Sequence, residues 1–282
     1  MNPFVRLLVY LVAAPLLGGL LAGADRIISA RMQSRMGPPI WQPFFDVWKL
    51  WRKENIVVRR SQNYYVFFFL LFVVFTGALF FAGFDLLLMV FAFTLAGIFF
   101  VLGAYKASSP YSFIGAEREL IQMMAYEPML LLTAVGMYMS TGSFYVHDIA
   151  GQPKSLIWTL PGIFIGFLFI LVIKFRKSPF DLSCSHHAHQ ELVRGITTEF
   201  SGSALAMIEV AHWFENVLLL SWVFLFFTAS PILGVVAALA VFLFLILVDN
   251  TFARLKWQTT LKSAWIVTLV LGFANLVVLS FR

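Results

Sequence analysis

The sequence predicts an all-α integral membrane protein, a single polytopic domain over 1–282 with about eight transmembrane helices. It adds an amphipathic interfacial helix on the cytoplasmic side and places both termini outside. Three observations carry this. First, 61% of the residues are hydrophobic and only 12% are charged, with a mean hydropathy of +0.88; an ordinary soluble domain is ~25% charged. Second, runs of about 20 apolar residues, enough to cross ~30 Å of hydrocarbon, recur along the chain. Third, of the 20 Lys and Arg residues, all but Arg6, Lys154 and Arg282 follow the odd-numbered runs. Basic connections stay on the cytoplasmic side, which fixes the orientation.

The runs cover 3–24, 64–82, 84–103, 119–141, 156–174, 203–228, 231–248 and 261–280. Most of the positive charge near the first run follows it (Arg26, Arg31, Arg35), the reverse of a signal peptide, so it reads as a retained helix. The second and third runs are joined by "AGFD" and the sixth and seventh by "TASPI", connections so short that each pair must be antiparallel neighbours. Polar residues interrupt the fourth and sixth. Asp249 reads as an interfacial residue at the end of the seventh. The net charge of +6 is a topology signal and needs no nucleic acid. A lone cysteine, Cys184, excludes a disulfide framework and a Cys-ligated cluster or structural zinc within the chain. No inverted repeat of the transporter kind is evident.

Between the first two runs, 41–53 places Trp41, Phe44, Phe45, Trp48 and Trp51 on one helical stripe. Gln42, Asp46, Lys49 and Lys53 lie on the other. A short, Trp-rich, basic amphipathic helix lies in the membrane interface. "GPP" at 37–39 ends the preceding helix and sets the turn into this one. The stripe suits an anchor, or the wall of a cavity that couples to a partner.

The residues around it resemble a known family. Asp25-Arg26, then "RMQSRMGP" (31–38), then Asp46, Lys49 and Lys53-Glu54, resemble the complex I membrane subunit that walls the quinone cavity, subunit 1 or H. The same family supplies a subunit of energy-converting [NiFe] hydrogenases. "GAERELIQMMAYEP" (115–128) and "SPFDL…ELVRGITTEFSG" (178–202) continue the resemblance in order. Where the complex I loop is rich in glutamates, this one reads Ser-Cys-Ser-His-His-Ala-His-Gln. Asp25 stands at the usual Glu position, and the stretch between Gly37-Pro38 and Gln42-Pro43 is shortened. The nearest resemblance is to the membrane subunit of Ech-type hydrogenases. It implies a multi-pass subunit of the cell inner (cytoplasmic) membrane. It also implies partners: the hydrogenase large and small subunits, a ferredoxin-like Fe-S subunit and an antiporter-like membrane subunit. The [NiFe] centre and Fe-S clusters would sit on those partners, with no cofactor on this chain.

Acids inside the runs mark candidate ion paths, because a charge at bilayer depth is costly. Glu127, with Tyr126, matches the family segment. Arg118 and Glu119 lie near the cytoplasmic end of the same run. Glu209 and His212 share a face with Asn216, while Glu215 falls on another side. A packing network of structural pairs is the alternative for each. The cytoplasmic loop 175–202 concentrates Cys184, His186, His187 and His189 ahead of Glu191, Arg194 and Glu199. These could be metal ligands, a solvated loop, or a surface packed under a soluble partner. The last is the expectation, with Asp25, Arg26, Arg35, Asp46, Lys49 and Asp181 bordering the same cavity and no metal bound. No catalytic constellation appears, so the redox chemistry is expected on partner subunits; the resemblance implies that this chain docks a soluble redox arm and couples ferredoxin-linked proton reduction to H⁺ or Na⁺ movement. The quinone-cavity subunit of complex I is the alternative, and a stand-alone ion transporter a third.

Overall fold

The computed structural model describes residues 3–56, 59, 61–183 and 194–281. The elements are helices: α1 (Pro3–Met32), α2 (Gln42–Arg52), α3 (Ser61–Ala82), α4 (Leu86–Lys106), α5 (Pro110–Thr141), α6 (Val146–Ala150), α7 (Pro161–Lys174), α8 (Gly202–Phe224), α9 (Pro231–Thr251), α10 (Trp257–Val267) and α11 (Ala274–Ser280). A π turn, Thr268–Phe273, joins α10 to α11 in one rod. The described residues hold no strand, only one isolated bridge between Asp85 and Tyr145.

Among the described residues, six of these helices (α1, α3, α4, α5, α8 and α9) and the α10–α11 rod are long and apolar enough to cross a membrane. The fifth expected span, 156–174, is shorter than its apolar run. Its helix begins only at Pro161, whose fixed φ suits the first helical position. The 14 residues of α7 rise about 21 Å, less than a full bilayer core. Asn275 of α11 supplies the missing cap, its Oδ1 accepting from Ile163 N at 3.2 Å. α1 continues to Met32, past the expected end at 24, and α5 begins at Pro110 rather than 119. In both cases the polar end of a helix projects beyond its apolar run.

The α3–α4 hairpin turns at Gly83, whose φ of +88° favours glycine. Asp85 caps α4, accepting from Leu87 N and Leu88 N at 2.7 and 3.1 Å. α8 forms the centre, packed against α1, α2, α3 and α9. The two runs interrupted by polar residues, now α5 and α8, turn those residues inward: Glu119, Gln122 and Glu215 are buried. α2 lies against α1 and α8, with Phe44 wedged on Gly19 and Trp213. Trp41, Phe45, Trp48 and Trp51 face outward, as the stripe predicted, and Arg52 lies over the Trp48 ring at 4.7 Å.

Candidate functional site

A cavity of about 970 Å³ opens where the basic ends of α1 and α7 converge with α8 and the end of α9. The chain leaving α7, "KFRKSPFDLS", runs along its wall, and nearly every charge in that stretch is paired. The Lys174 ammonium meets the Glu215 carboxylate at 2.9 Å, with both side chains almost wholly buried. The same ammonium lies 3.8 Å from the Phe93 ring centre and 4.5 Å from that of Tyr126. Arg176 reaches two helices: its guanidinium contacts Glu119 of α5 at 3.2 Å and donates to His212 Nε2 of α8. Ser183 donates to the other Glu119 oxygen. Gln122, one turn on, donates to the Phe180 carbonyl. Two glycines allow this closeness. A Cβ on Gly195, whose φ is +38°, would sit 2.0 Å from the Ser183 carbonyl, and one on Gly115 would sit 2.2 Å from Ile196 N.

Lys177 ties the first helix to the ninth. Its ammonium lies 2.6 Å from Asp25 of α1 and 3.1 Å from Asp249 of α9. Burial alone would lower its pKa; the two carboxylates outweigh that and raise it above the ordinary lysine range. Asp249 also accepts from Ser178 N at 2.8 Å. Nearby, Gln33 donates to Asn250 at 2.9 Å, and Asn250 to Ser29 at 3.1 Å. Arg254 closes the rim on Asp181 at 3.2 Å. Arg26 holds Asp46 of α2 at 2.6 Å, and Gln42 donates to the second Asp46 oxygen at 2.9 Å.

The structure thus brings together Asp25, Arg26, Arg35, Asp181, Glu209 and His212 on the cavity wall, with Asn216 beside them. Asp46 joins through Arg26 and Glu119 through Arg176. Lys49 is exposed on α2, Arg118 is half-buried next to Glu119, and neither lines the cavity. Arg194 is exposed and Glu199 half-buried in the segment leading to α8. Cys184, His186, His187, His189 and Glu191 lie outside the described residues. Among the described residues no cluster of His, Cys, Asp and Glu has the makings of a metal site.

One reading of the sequence needs correcting. Asp249 is not a bystander at the interface but a partner of Lys177. Glu215, placed by helical spacing on another side from His212, faces α7 and completes a buried pair. Sequence reasoning also missed Lys174, Arg176, Lys177 and Arg254 as wall residues, because their charge was spent on explaining orientation. The available signal was Lys174 itself, a cation at the end of an apolar run.

Glu127 stands apart from this network. It is half-buried in α5, and its Oε1 has no hydrogen-bond partner among the described residues. The nearby cation, Lys174, is committed to Glu215.

This arrangement has relatives. Residues 5–280 match the protein family described as NADH dehydrogenase. The chain belongs to the NADH dehydrogenase family. Within it, the chain is 28% identical to hydrogenase-4 component C of Escherichia coli (strain K12), covering 88% of this chain and 87% of that one. It is 29% identical to the NADH-quinone oxidoreductase H subunit of Dehalococcoides mccartyi (strain ATCC BAA-2266 / KCTC 15142 / 195), over 99% of this chain and 87% of that one. The fold is shared with a chain of the membrane-bound sulfane sulfur reductase, an archaeal respiratory membrane complex: the TM-score is 0.86 at 24% identity, over 98% of this chain and 100% of the other. As a member of the NADH dehydrogenase family the chain is a multi-pass membrane subunit of a complex I-like respiratory complex.

Proposed function

We propose that the chain is the membrane subunit of an energy-converting [NiFe] hydrogenase complex. In this reading it docks the soluble arm on the face formed by α2, the segment after α7 and the α9–α10 connection. Ferredoxin delivers electrons to protons on that arm, which carries the nickel–iron centre and Fe-S clusters. This chain transmits the event to an antiporter-like membrane partner that moves H⁺ or Na⁺. The face is cytoplasmic because the basic residues gather there. The loop 184–193, with His186, His187, His189 and Glu191, would contribute hydrogen bonds to the docked arm.

The observation that carries the reading is the contrast between a wall of fixed ion pairs and an acid left outside any pair. Glu215 takes Lys174, Glu119 takes Arg176, and Asp25 with Asp249 takes Lys177. Glu127 keeps an unpartnered buried oxygen, as suits a group that gains and loses a proton. The cavity also favours an ion-coupling vestibule, since a site for an apolar ligand is lined mainly by apolar side chains.

Glu127→Gln tests this. The complex should assemble, and the detergent-solubilised enzyme should evolve hydrogen from reduced ferredoxin at close to the normal rate, while ion pumping in sealed vesicles falls. Failure of assembly would assign Glu127 a structural role. A second reading, the quinone-cavity subunit of an NADH-quinone oxidoreductase, is favoured by the relative of that name that aligns over 99% of this chain. It requires the purified complex to reduce a quinone with NADH and to evolve no hydrogen from ferredoxin.

A further inference from the structure

A second cavity, of about 530 Å³, lies on the half of the bundle away from the basic ends. Its walls are hydrocarbon: Leu17 of α1, Phe81 of α3, Leu220 and Phe224 of α8, and Val235 and Leu239 of α9. Leu17, Val235 and Leu239 are each at least half exposed, so the groove opens sideways between α1 and α9. Arg6 is its one Lys or Arg among the described lining residues, and no described Asp or Glu lines it. Arg6 stands 15 residues from Leu21 on the same helix, about 22 Å along the axis. The groove therefore runs from the middle of the bundle to the end where α1 begins.

Leu21 lines both cavities. So the polar cavity and the apolar groove meet back to back between α1 and α9, with roughly one layer of side chains dividing them. On α8 the boundary falls between neighbours: Asn216 lines the polar side and Val217 the apolar side.

What fills such a groove is constrained by its surroundings. A water molecule needs two to four polar partners to be held, and these walls offer almost none. At this depth the available apolar material is lipid. An acyl chain gains nothing here from leaving water, since hydrocarbon elsewhere in the bilayer is equally dry. Its residence must come from close van der Waals fit along the groove and from a headgroup contact at the mouth. Arg6 supplies a cation with a fork of donors matched to phosphate.

We propose that the groove binds one acyl chain of an anionic phospholipid, its phosphate on Arg6, and that this chain seals the membrane behind the polar cavity. The lipid completes a wall that the protein leaves thin at Leu21. This inference does not depend on which redox reaction the complex performs.

The test uses the intact complex in nanodiscs containing either phosphatidylglycerol or phosphatidylcholine, each with a photoactivatable diazirine near the end of one acyl chain. After irradiation, cross-linked peptides are mapped by mass spectrometry. Peptides spanning 17–21 and 235–239 should carry the phosphatidylglycerol label several-fold more than the phosphatidylcholine label. Arg6→Gln should keep the labelling and remove the preference between the lipids. Ala238→Phe, which fills the groove, should abolish labelling there by both and leave other lipid contacts labelled. Equal labelling by the two lipids in the wild-type complex would overturn the proposal. So would labelling indifferent to Ala238→Phe, or cross-linking of Ala238→Cys to a partner subunit in place of lipid. If Ala238→Phe does not assemble, Arg6→Gln decides alone: a surviving preference for phosphatidylglycerol overturns the proposal, and its loss supports it.

Discussion

Lys174→Met should be among the most damaging single substitutions in the chain. Lys174 and Glu215 form an ion pair at 2.9 Å with side chains only 6% and 4% exposed. Removing one member of a buried pair leaves the other charge uncompensated, at a cost of about 3–5 kcal/mol. Lys174→Met also forfeits the two ring contacts, with Phe93 and Tyr126, each worth roughly 0.5–2 kcal/mol. Glu215→Leu is not its mirror image. That variant leaves the ammonium on both ring faces and within reach of the field of Glu127, on which Lys174 already acts. Glu215→Leu should therefore cost less than Lys174→Met, by about 1–2 kcal/mol. The double variant buries no charge at the site, and replacing a buried pair by apolar groups is often close to neutral. Its cost should fall well below the sum of the single costs. Equilibrium unfolding of the purified subunit in mixed detergent micelles, followed by tryptophan fluorescence, measures all three. A Lys174→Met variant within about 1 kcal/mol of wild type, or a double variant equal to the sum, would refute the reasoning.

Two further outcomes are expected. Single cysteines at Lys53 and Lys154 should react with an impermeant thiol reagent from opposite sides of the membrane, 154 from outside and 53 only after the membrane is opened; labelling of 53 from outside would reverse the topology. Lys177 has a raised pKa in the folded chain, so its tie between α1 and α9 is fully present below the ordinary lysine value of 10.5 and is lost only as pH climbs through the higher folded value. Stability measured against pH should lose this contribution only in the strongly alkaline range, and Lys177→Gln should flatten that alkaline loss.

The fold was largely legible because hydrocarbon imposes its own length on a helix. Hydropathy located each described helix that is long and apolar enough to cross a membrane, and the stripe at 41–53 predicted α2 to within a residue at either end. It missed where helices stop, since a helix such as α1 runs past the hydrocarbon into water without any change of backbone. It overestimated α7 because "LIWTL" is as apolar as a span, yet Pro161 starts the helix after it. The site was legible only in half. Glu119, Glu209 and His212 were visible because charge in an apolar run is rare. Their partners were not, because pairing depends on which helices adjoin. Helical spacing placed Glu215 on a different side from His212, and only the fold puts α7 on that side. Lys174, Arg176 and Lys177 serve orientation and pairing at once, and the first role concealed the second.

That double role also separates the acids by function. Positive charge gathered at one end of a bundle would repel itself unless matched, and here the carboxylates of Asp25, Glu119, Asp181, Glu215 and Asp249 match it. A carboxylate held by a guanidinium and a hydroxyl is poorly placed to exchange protons during turnover. Glu119, with Arg176 and Ser183 on its two oxygens, is such a group, and we propose for it a structural part in place of the one expected in the ion path. Glu209 differs: it lines the cavity and has no ion pair within 4 Å among the described residues, though it lies in the field of Arg26, Arg176 and Arg194. Glu119→Gln should lower the yield of assembled complex, because the ion pair by which Arg176 ties the segment after α7 to α5 is lost. Glu209→Gln should assemble normally and lose ion pumping in vesicles while hydrogen evolution from the solubilised complex persists. If instead Glu119→Gln assembles fully and uncouples, and Glu209→Gln is silent, pairing does not distinguish wall from path, and the ion moves through the paired residues themselves.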